Sequence, residues 1–556
     1  MELLRGQPAI EALANLLTSS GVPAIDVDPQ AHRGEPTMVI GVGTTERAVL
    51  LDAKGSPGVG QLLADLNKPV AAEAAKGVHR ALTLTYGRGP SRWACARLSA
   101  QLLAGGREAD LSLAGSAQRL GLPPPADLAL GMEAWASRIT SIARVIAELI
   151  PELKAAEMGW VSRIEAAAVA PIVEMELHGM PFDAAMWRAL AAEAQTERNG
   201  LAATLQRRFA AVRGADLFGG ASLNLDSDAD LKAALHALGH PVPDVRRETV
   251  AALPAPLGNE LARYRELFKI TSAYGESFLT YVGADGRMHP VFEQIGASTG
   301  RMACHSPNLQ AVVKGTPHRG CFHTAPDRRL VIGDYSACEL RILAEMSGDP
   351  VFADAFGRGE DLHARVASEV FGKHVSKTEN PDLRERAKAI NFGLAYGMGA
   401  GGLARATSTS VTQARELLER YFMTFPRIRT FLDHSAADSL ARGYARTMTG
   451  RRLYLDVGDD RGERGQAARL AKNMPIQGTS ADITKIALAR LRKRLTAFHD
   501  AVIVNTVHDE VVVECDATEA DAIRDALGDE MRQAGAEVLR SIPVGVDVIV
   551  STEWDK

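Results

Sequence analysis

Two strongly apolar runs near the C-terminus are joined by three polar residues. The runs, Ala501 to Val507 and Val511 to Cys515, are rich in valine and isoleucine, which is typical of buried β-strands. The connecting residues His508, Asp509 and Glu510 include no glycine or asparagine that would ease a tight turn. The pattern predicts a β-hairpin with adjacent carboxylates at its bend, where burial of charge is costly.

A further acid follows another strand-like run, Leu330 to Gly333, which leads directly into Asp334. Carboxylates that interrupt buried strands without structural benefit point to function, and hard oxygen ligands at separate strand ends suit Mg²⁺. Taken singly, each acid also has a simpler structural interpretation. Asp509 and Glu510 would then lie in a solvated turn, and Asp334 would cap a helix.

The first 155 residues combine short strand-like runs, Thr37 to Val42 and Ala48 to Asp52, with alanine-rich helical stretches, which predicts an α/β domain. The chain shows no internal repeat and no low-complexity linker. Further elements are expected in this order: a long helical stretch to Arg213, helices at 224–238 and 261–274, strand signals at 288–294, a mostly helical block at 349–494, and, after the hairpin, a helix and a strand at 544–550.

Length and composition indicate a globular protein of three or four domains. The chain has 556 residues, of which 46% are hydrophobic and 24% charged. The five cysteines are scattered, odd in number and never spaced as C-x-x-C, which indicates neither a disulfide framework nor a zinc site. Charged residues at the N-terminus and the lack of a long uncharged apolar run predict a soluble cytoplasmic protein without a membrane partner.

The net charge of −5 does not favour nucleic acid globally, but binding to a nucleic-acid backbone depends on local basic stripes. In one such segment Arg384, Lys388, Phe392 and Tyr396 recur at steps of four, so they lie along one side of a helix. Two cations spaced in this way cost a helix a few tenths of a kcal/mol, on the order of 0.3. A bound triphosphate would offset that repulsion, and the aromatic pair could stack on a nucleobase. The alternative is an amphipathic helix with a core Phe and Tyr and a solvated basic end.

Together these segments resemble the three polymerase motifs of family A DNA polymerases, the bacterial DNA polymerase I group. The resemblance covers roughly residues 174 to 556. It rests on the following residues in matching order and spacing: Thr299-Gly300-Arg301, Pro307-Asn308-Leu309-Gln310, Asp334-Tyr335-Ser336, Glu339-Leu340-Arg341, Arg384, Lys388, Phe392-Gly393, Tyr396-Gly397, Arg469, Asn473, Gln477-Gly478-Thr479 and Val507-His508-Asp509-Glu510.

The resemblance implies a catalytic centre for two-metal phosphoryl transfer. Asp334 and Asp509 would hold two Mg²⁺ ions, for which Mn²⁺ could substitute, and Glu510 would support them. Arg384 and Lys388 would bind the β- and γ-phosphates of a deoxynucleoside triphosphate, and Lys388 would protonate the departing pyrophosphate.

Three further residues would define the nucleotide pocket. Phe392 and Tyr396 would border the incoming base pair, and Glu339 would reject a ribose 2′-hydroxyl. Phe392, where some relatives have tyrosine, implies discrimination against dideoxynucleotides.

The resemblance also implies contacts with primer-template DNA. The residues at matching positions are Arg265, Lys269, Arg301, Asn308, Gln310, Arg469, Asn473, Gln477 and His508. Arg265 and Lys269 would hold the duplex backbone by charge. Contacts through the minor groove would test the shape of a base pair rather than its sequence.

The implied fold is α+β and multidomain. A polymerase right hand, with an antiparallel palm sheet, helical fingers and a helical thumb, would follow an α/β RNase H-like domain. The expected boundaries are 1–155 for the 3′–5′ exonuclease-like domain, 156–258 for connector and thumb, 259–345 and 481–556 for the palm, and 346–480 for the fingers. The family's 5′-nuclease domain is expected to be absent, and the protein is expected to be a monomer associated with the bacterial nucleoid.

The chain departs from the family pattern at two places. Ala337 and Cys338 replace the usual glutamine and isoleucine, which predicts altered fidelity or rate with catalysis retained. The exonuclease motifs are degenerate. Asp26-Val27-Asp28 would stand for the first motif, Lys76 to Arg80 lacks the second acid, and Trp135 to Ile139 lacks the third. With most ligands gone, two divalent ions could not be held against their hydration.

The resulting hypothesis is a template-directed DNA polymerase without proofreading, used in repair or gap filling. Its alternatives are a polymerase with residual 3′–5′ exonuclease activity and a non-catalytic scaffold that binds primer-template DNA. A single-subunit RNA polymerase would share the two metal acids and the helix lysine, but Glu339 and Phe392 argue against it.

Overall fold

A computed structural model gives the fold of the chain. It describes residues 3–18, 21–28, 30–31, 35–127, 131–213, 223–395, 397–407, 409–458 and 460–554. At 211–213, 247–248, 392 and 394–395 the description covers the backbone only. No helix among these residues combines the length and the apolar character that crossing a bilayer requires.

The helices and strands are numbered in chain order. The strands are β1 (Leu3–Leu4), β2 (Ala24–Val27), β3 (Val39–Gly43), β4 (Ala48–Asp52), β5 (Val70–Ala72), β6 (Trp93–Cys95), β7 (Met180–Pro181), β8 (Arg287–Met288), β9 (Val291–Glu293), β10 (Ala303–His305), β11 (Arg328–Tyr335), β12 (Tyr444–Arg446), β13 (Arg452–Tyr454), β14 (Val502–Val507), β15 (Glu510–Asp516) and β16 (Val546–Ser551). The α-helices are α1 (Gly6–Leu17), α2 (Gly58–Ala64), α3 (Ala75–Tyr86), α4 (Ala96–Ala104), α5 (Leu113–Arg119), α6 (Met132–Ala155), α7 (Gly159–His178), α8 (Ala184–Arg213), α9 (Asp228–Ala237), α10 (Arg247–Ala251), α11 (Leu257–Ala273), α12 (Pro317–Gly320), α13 (Cys338–Ser347), α14 (Pro350–Gly357), α15 (Leu362–Phe371), α16 (Pro381–Ala395), α17 (Ala400–Ala406), α18 (Val411–Thr424), α19 (Pro426–Arg442), α20 (Arg461–Leu495) and α21 (Ala520–Val538).

The chain divides into two compact units. The first consists of Met1–His178, Val291–His305 and Asp327–Ser551, and the second of Gly179–Pro290, Ser306–Pro326 and Thr552–Lys556. Of the residues expected at the site, only Arg265, Lys269, Asn308 and Gln310 belong to the second unit.

The N-terminal part of the first unit is built on a six-stranded sheet in the order β1-β4-β3-β2-β5-β6. Strand β3 runs antiparallel to both neighbours, whereas β5 is parallel to β2 and to β6. Alternation along β2 places Ile25 and Val27 in the core shared with α1 to α3, and Ala24 in the core shared with α6. Asp26 therefore lies on the α6 face, between buried hydrophobic neighbours.

The C-terminal part of the first unit contains a four-stranded antiparallel sheet in the order β14-β15-β11-β16. Helix α21 packs on one face of it. Gly333 allows this close approach, because a Cβ atom there would lie 2.7 Å from the Met531 sulfur. The Tyr335 hydroxyl donates to the Met531 carbonyl at 2.8 Å, which fixes the helix against β11.

The second unit has its own core. Leu205 and Phe209 of α8 pack with Leu231 of α9 and with Leu261 and Tyr264 of α11. Helix α8 begins close to an aromatic cluster in which the rings of Trp187 and Phe278 stack with their centroids 4.3 Å apart.

Most elements expected from the pattern are present, including the hairpin β14–β15, the strand that leads into Asp334 and the long helix α8. One further element and one correction follow. The block at 349–494 is mostly helical as expected, with one hairpin, β12–β13, whose three-residue strands give little periodic signal. The helix-cap interpretation of Asp334 is wrong, because the residue before α13 is Ala337 and no side chain caps that helix.

Candidate active site

The candidate active site is built on the central strand of the four-stranded sheet. Asp334, the seventh residue of the eight in β11, lies directly opposite Glu510 of β15. The backbone N–H of Tyr335 donates to the carbonyl of Asp509 at 3.3 Å. Asp334 on β11 and Asp509 in the turn between β14 and β15, 175 positions apart in the chain, are thus brought together by backbone hydrogen bonds.

Asp509 shows the electrostatic consequence of this arrangement. Burial raises the pKa of its carboxyl to about 7, and the nearby charge of Asp334 acts in the same direction. Two carboxylates that repel one another in a half-buried position gain stability from a proton or a cation. The pair therefore suits a divalent ion.

The donor set also fits Mg²⁺ in particular. No group of three or more His, Cys, Asp or Glu side chains arranged around a metal occurs in the part of the chain that the structure describes. Mg²⁺ is usually held by one or two carboxylates, with water and substrate phosphates as its other ligands. Asp334 and Asp509 supply the carboxylates that such a site needs.

The turn that carries Asp509 is held from helix α20. His508 has φ 57°, a left-handed conformation that costs a residue other than glycine about 1–2 kcal/mol. The Thr484 hydroxyl of α20 donates to the His508 carbonyl at 3.3 Å, and the Thr506 hydroxyl donates to the Glu510 carbonyl at 2.9 Å. Glu510 lies inside β15 and is 5% exposed, so the interpretation of this residue as part of a solvated turn is wrong.

Beyond Asp334, the chain turns into α13 at Ala337, which adopts φ 55°. Cys338 is buried with its sulfur 3.5 Å from the Ser480 hydroxyl, and burial raises the pKa of the thiol to about 12. Glu339 is 8% exposed and forms an ion pair with Arg301. Glu339, expected at the nucleotide sugar, and Arg301, expected at the primer-template, are thus in direct contact.

Helix α16 carries the expected phosphate-binding cations. Arg384 forms ion pairs with Asp361 at 2.8 Å and Glu385 at 2.9 Å. Lys388 is exposed and lies 3.8 Å from Glu385. These acids relieve the repulsion between the two cations, and they would compete with a triphosphate for Arg384. Two further residues expected here are not covered: the Phe392 side chain and all of Tyr396 lie outside the described residues.

Helix α20 presents Arg469, Asn473 and Gln477 at steps of four, and therefore along one side. Arg469 is exposed, Asn473 is half-buried and Gln477 is 7% exposed. The side-chain oxygen of Asn473 is buried without a hydrogen-bond partner among the described residues, which leaves an acceptor for a ligand.

In the second unit, Arg265 and Lys269 lie four apart on α11. Arg265 forms an ion pair with Asp228 at 2.7 Å, whereas Lys269 is exposed. Asn308 is exposed and precedes a short 3₁₀-helix that contains Gln310.

Comparison with known proteins identifies the family. Residues 195–556, well over half of the chain, match the family model of DNA polymerase family A. The chain belongs to DNA polymerase family A.

Relatives in this family include the thermostable DNA polymerase I of Thermus aquaticus, which is 33% identical over 432 residues that cover 74% of this chain and 50% of the relative. DNA polymerase I of Aquifex aeolicus is 38% identical over 284 residues, or 49% of this chain and 47% of that protein. The chain spans about half the length of the curated relatives it matches.

Among solved structures, the POL domain of Pol1 from M. smegmatis, in complex with DNA primer-template and dNTP, has a TM-score of 0.86 and 26% identity. The match covers 100% of this chain and 99% of that chain.

The acids expected in an exonuclease-like region have surroundings unlike those of Asp334 and Asp509. Asp26 is 2% exposed and accepts a hydrogen bond from the Trp135 indole at 3.3 Å. The guanidinium of Arg138 lies 3.5 Å from Asp26 and also forms an ion pair with Glu73. An arginine therefore neutralises two carboxylates of this region.

The other residues expected in this region have structural partners. Asp28 accepts hydrogen bonds from the Thr37 hydroxyl at 2.8 Å and from the Met38 backbone at 2.7 Å, so it ties β2 to β3. Lys76 and Arg80, where the second acid was expected, form ion pairs with Glu176 of α7 at 2.6 and 3.7 Å.

Sequence reasoning missed two acids of this family A chain. Glu73 follows β5 and had no motif to mark it. Asp547 lies opposite Asp334 on β16 and accepts a hydrogen bond from the Ser336 hydroxyl at 2.5 Å. Its signal was present in the sequence, because Asp547 is the single charge in the apolar run Val546 to Val550.

Proposed function

We propose that the protein is a template-directed DNA polymerase that adds deoxynucleotides to a primer 3′ end and releases pyrophosphate. The observation that carries the proposal is the convergence of Asp334, on β11, with Asp509, in the turn that leads into the adjacent strand β15, where burial and mutual repulsion raise the pKa of Asp509 to about 7. Family membership and the fold shared with a polymerase bound to primer-template and dNTP support it.

In this proposal Asp334 and Asp509 hold two Mg²⁺ ions, with Mn²⁺ as a substitute, and Glu510 supports them from β15. Ions held there would supply positive charge that lowers the pKa of a primer 3′-hydroxyl and neutralises the triphosphate. Arg384 and Lys388 orient the β- and γ-phosphates, and Lys388 donates a proton to the departing pyrophosphate.

The nucleotide pocket selects its substrate by shape. Glu339 excludes a ribose 2′-hydroxyl, Phe392 and Tyr396 border the new base pair, and Phe392 provides no hydroxyl to replace the missing 3′-hydroxyl of a dideoxynucleotide.

Primer-template DNA is the proposed partner. Arg301, Arg469, Asn473, Gln477 and His508 of the first unit contact the newest base pairs. The second unit contributes Arg265, Lys269, Asn308 and Gln310, with Arg265 and Lys269 on the duplex backbone. We assign the palm to 259–345 and 481–556, the fingers to 346–480 and the connector and thumb to 156–258, and we propose a monomer that works at the bacterial nucleoid.

We also propose that the exonuclease-like domain, 1–155, is inactive, so that the enzyme repairs or fills gaps without proofreading. The support is the ion pair of Arg138 with Asp26 and Glu73, because a fixed guanidinium beside these acids opposes the entry of divalent cations. Incubation of a 3′-labelled single strand with Mg²⁺ should leave its length unchanged, and metal-dependent shortening would favour residual exonuclease activity instead.

Primer extension by the wild type beside Asp334→Asn tests the polymerase directly. Asp525→Asn, a change at an exposed acid of α21, is the matched control. Extension by the wild type and the control, with loss in Asp334→Asn, is the expected result. A wild type that binds primer-template without extending it would instead identify a scaffold.

A further inference from the structure

A buried cluster of four charged residues lies outside the active site. It consists of Glu165 on α7, Arg451 before β13, and Asp482 and Lys485 on α20. Their exposures are 1%, 2%, 0% and 0%, respectively. Lys485 Nζ lies 2.6 Å from Glu165 Oε1, and Arg451 forms ion pairs with both Asp482, at 2.5 Å, and Glu165.

The cluster is electrically balanced and fully bonded. Burial alone would raise the pKa of Glu165, but Lys485 and Arg451 hold it below its ordinary value, so Glu165 is ionised. Burying an ion costs several kcal/mol even when it is paired, and apolar residues of similar volume are often at least as stable. Stability alone is therefore a poor reason for this cluster.

The cluster contacts both ends of the loop between β9 and β10. Near its start, the Gln294 amide donates to the Glu165 carbonyl at 2.6 Å and to its carboxylate at 2.5 Å. Near its end, Lys485 Nζ donates to the Gly300 carbonyl at 2.8 Å. Gly300 has φ 91°, and a Cβ atom there would lie 2.4 Å from Arg451 Nε, so the loop backbone rests directly on the Arg451 side chain.

The residue after Gly300 is Arg301, which forms the ion pair with Glu339. The loop closes on Arg301, because the N–H groups of Gly296 and Ala297 both donate to its carbonyl at 3.0 Å. A chain of direct contacts therefore runs from Glu165 and Lys485 through Gly300 and Arg301 to Glu339.

We propose that Lys485 and Glu165 are positioning residues, which hold the Gly300 carbonyl so that Arg301 keeps Glu339 in place to discriminate deoxynucleotides from ribonucleotides. This inference rests on the proposed polymerase function and on the proposed role of Glu339. If Lys485 is lost, the loop relaxes, Arg301 moves and Glu339 gains freedom to make room for a 2′-hydroxyl.

A double-mutant cycle on the full-length chain tests the proposal. The readout is the ratio of kcat/KM for a deoxynucleotide to that for the matching ribonucleotide, measured for wild type, Lys485→Met, Arg301→Ala and the double variant. Lys485→Met should lower this ratio about tenfold, a size within the coupling seen for residues in one network. In the Arg301→Ala background the same change should have little further effect, because Lys485 acts through Arg301.

The matched control is Arg492→Met. Arg492 also joins α20 to α7, through an ion pair with Glu174 at 2.6 Å, but within the described part of the chain no hydrogen bond or ion pair joins either residue to the loop. The ratio should not change in this variant. If Lys485→Met fails to fold, the same ratio is measured for Gly300→Ala. Its new Cβ displaces the loop backbone from Arg451, so this variant disturbs the same contact from the loop.

The outcomes separate the two proposals. A wild type that does not extend a primer overturns the proposed function. A wild type that extends a primer, with Lys485→Met lowering the ratio equally in both backgrounds or leaving it unchanged, overturns the positioning role alone.

Discussion

Each of two sheets in the first unit carries acids near a strand end, but the charges that surround these acids differ between the sheets. In the four-stranded sheet, the largest influences on Asp509 are burial and the charge of Asp334, and both raise its pKa. In the six-stranded sheet, Asp26 and Glu73 share the guanidinium of Arg138. The two sheets thus differ in charge balance, because repulsion remains between Asp334 and Asp509, whereas Arg138 offsets the charges of Asp26 and Glu73.

The largest difference between the two regions should appear in primer extension. Asp509→Asn removes one of the two proposed ligands and should reduce kcat/KM more than about a hundredfold, since loss of even a residue behind a ligand can cost that much. Asp26→Asn should leave primer extension at the wild-type rate. Equal losses in both variants would remove the distinction between the two sites.

Arg138 itself offers the next test. Arg138→Gln removes the guanidinium that Asp26 and Glu73 share and leaves Glu73 with Arg97 at 3.9 Å. It should lower the free energy of unfolding by about 2 kcal/mol, less than the 3–5 kcal/mol of a fully buried pair because Arg138 is 19% exposed. Thermal unfolding with and without Mn²⁺ is the measurement. Mn²⁺ should restore part of the lost free energy of unfolding in Arg138→Gln. It should not do so in Arg138→Lys, which keeps a positive charge at this position. Full stability of Arg138→Gln without metal would show that the arginine does not neutralise the pair.

A smaller effect is expected at Arg384, whose ion pair with Asp361 should be exchanged for one with phosphate when a nucleotide binds. Asp361→Asn removes the charge that competes with phosphate and keeps the cap of α15, because asparagine caps a helix as well as aspartate. We expect KM for the deoxynucleotide to fall about threefold, within the range of about 0.2–1 kcal/mol for a partly exposed ion pair. Steady-state kinetics measures it. A rise in KM would show that Asp361 orients Arg384 for phosphate instead of competing with it.

The smallest effect concerns Asp28, which sequence reasoning placed in an exonuclease motif. Burial would raise its pKa, but hydrogen bonds from the Met38 backbone and the Thr37 hydroxyl bring it below the ordinary value of 3.8. A carboxyl with a lowered folded-state pKa stabilises the fold above pH 3.8, and that stability is lost as the pH falls through the folded-state pKa. Asp28→Asn should therefore cost about 1 kcal/mol at pH 7 and less at pH 3, measured by urea unfolding. An unchanged free energy at pH 7 would contradict this structural role.

Much of the proposed polymerase site could be predicted from the sequence, because each of its parts lies within one short segment of the chain. The hairpin around Asp509 and the strand before Asp334 follow from apolar runs, and the Arg384 and Lys388 face follows from a spacing of four. Their convergence came from the resemblance to the family, since no local pattern reports which strands pair.

The remaining parts depend on tertiary contacts. Glu73 pairs with Arg138, which is 65 positions away, and Glu165 meets Lys485 across 320 positions. In a sequence, such charges look like ordinary solvated side chains. Lys485 lies in a helix segment that is buried on all sides. This burial results from the packing of α7 and the β9–β10 loop against α20, which no local sequence pattern reports.

Direct metal binding tests the central claim that the Asp334 and Asp509 pair is a cation site. Mn²⁺ should be titrated into the full-length wild type, Asp334→Asn and Asp26→Asn with a deoxynucleoside triphosphate present, and bound metal should be counted by the loss of the free-ion electron paramagnetic resonance signal. We expect fewer bound ions, with weaker affinity, in Asp334→Asn and wild-type behaviour in Asp26→Asn. Wild-type binding in Asp334→Asn, or loss of binding in Asp26→Asn, would contradict it.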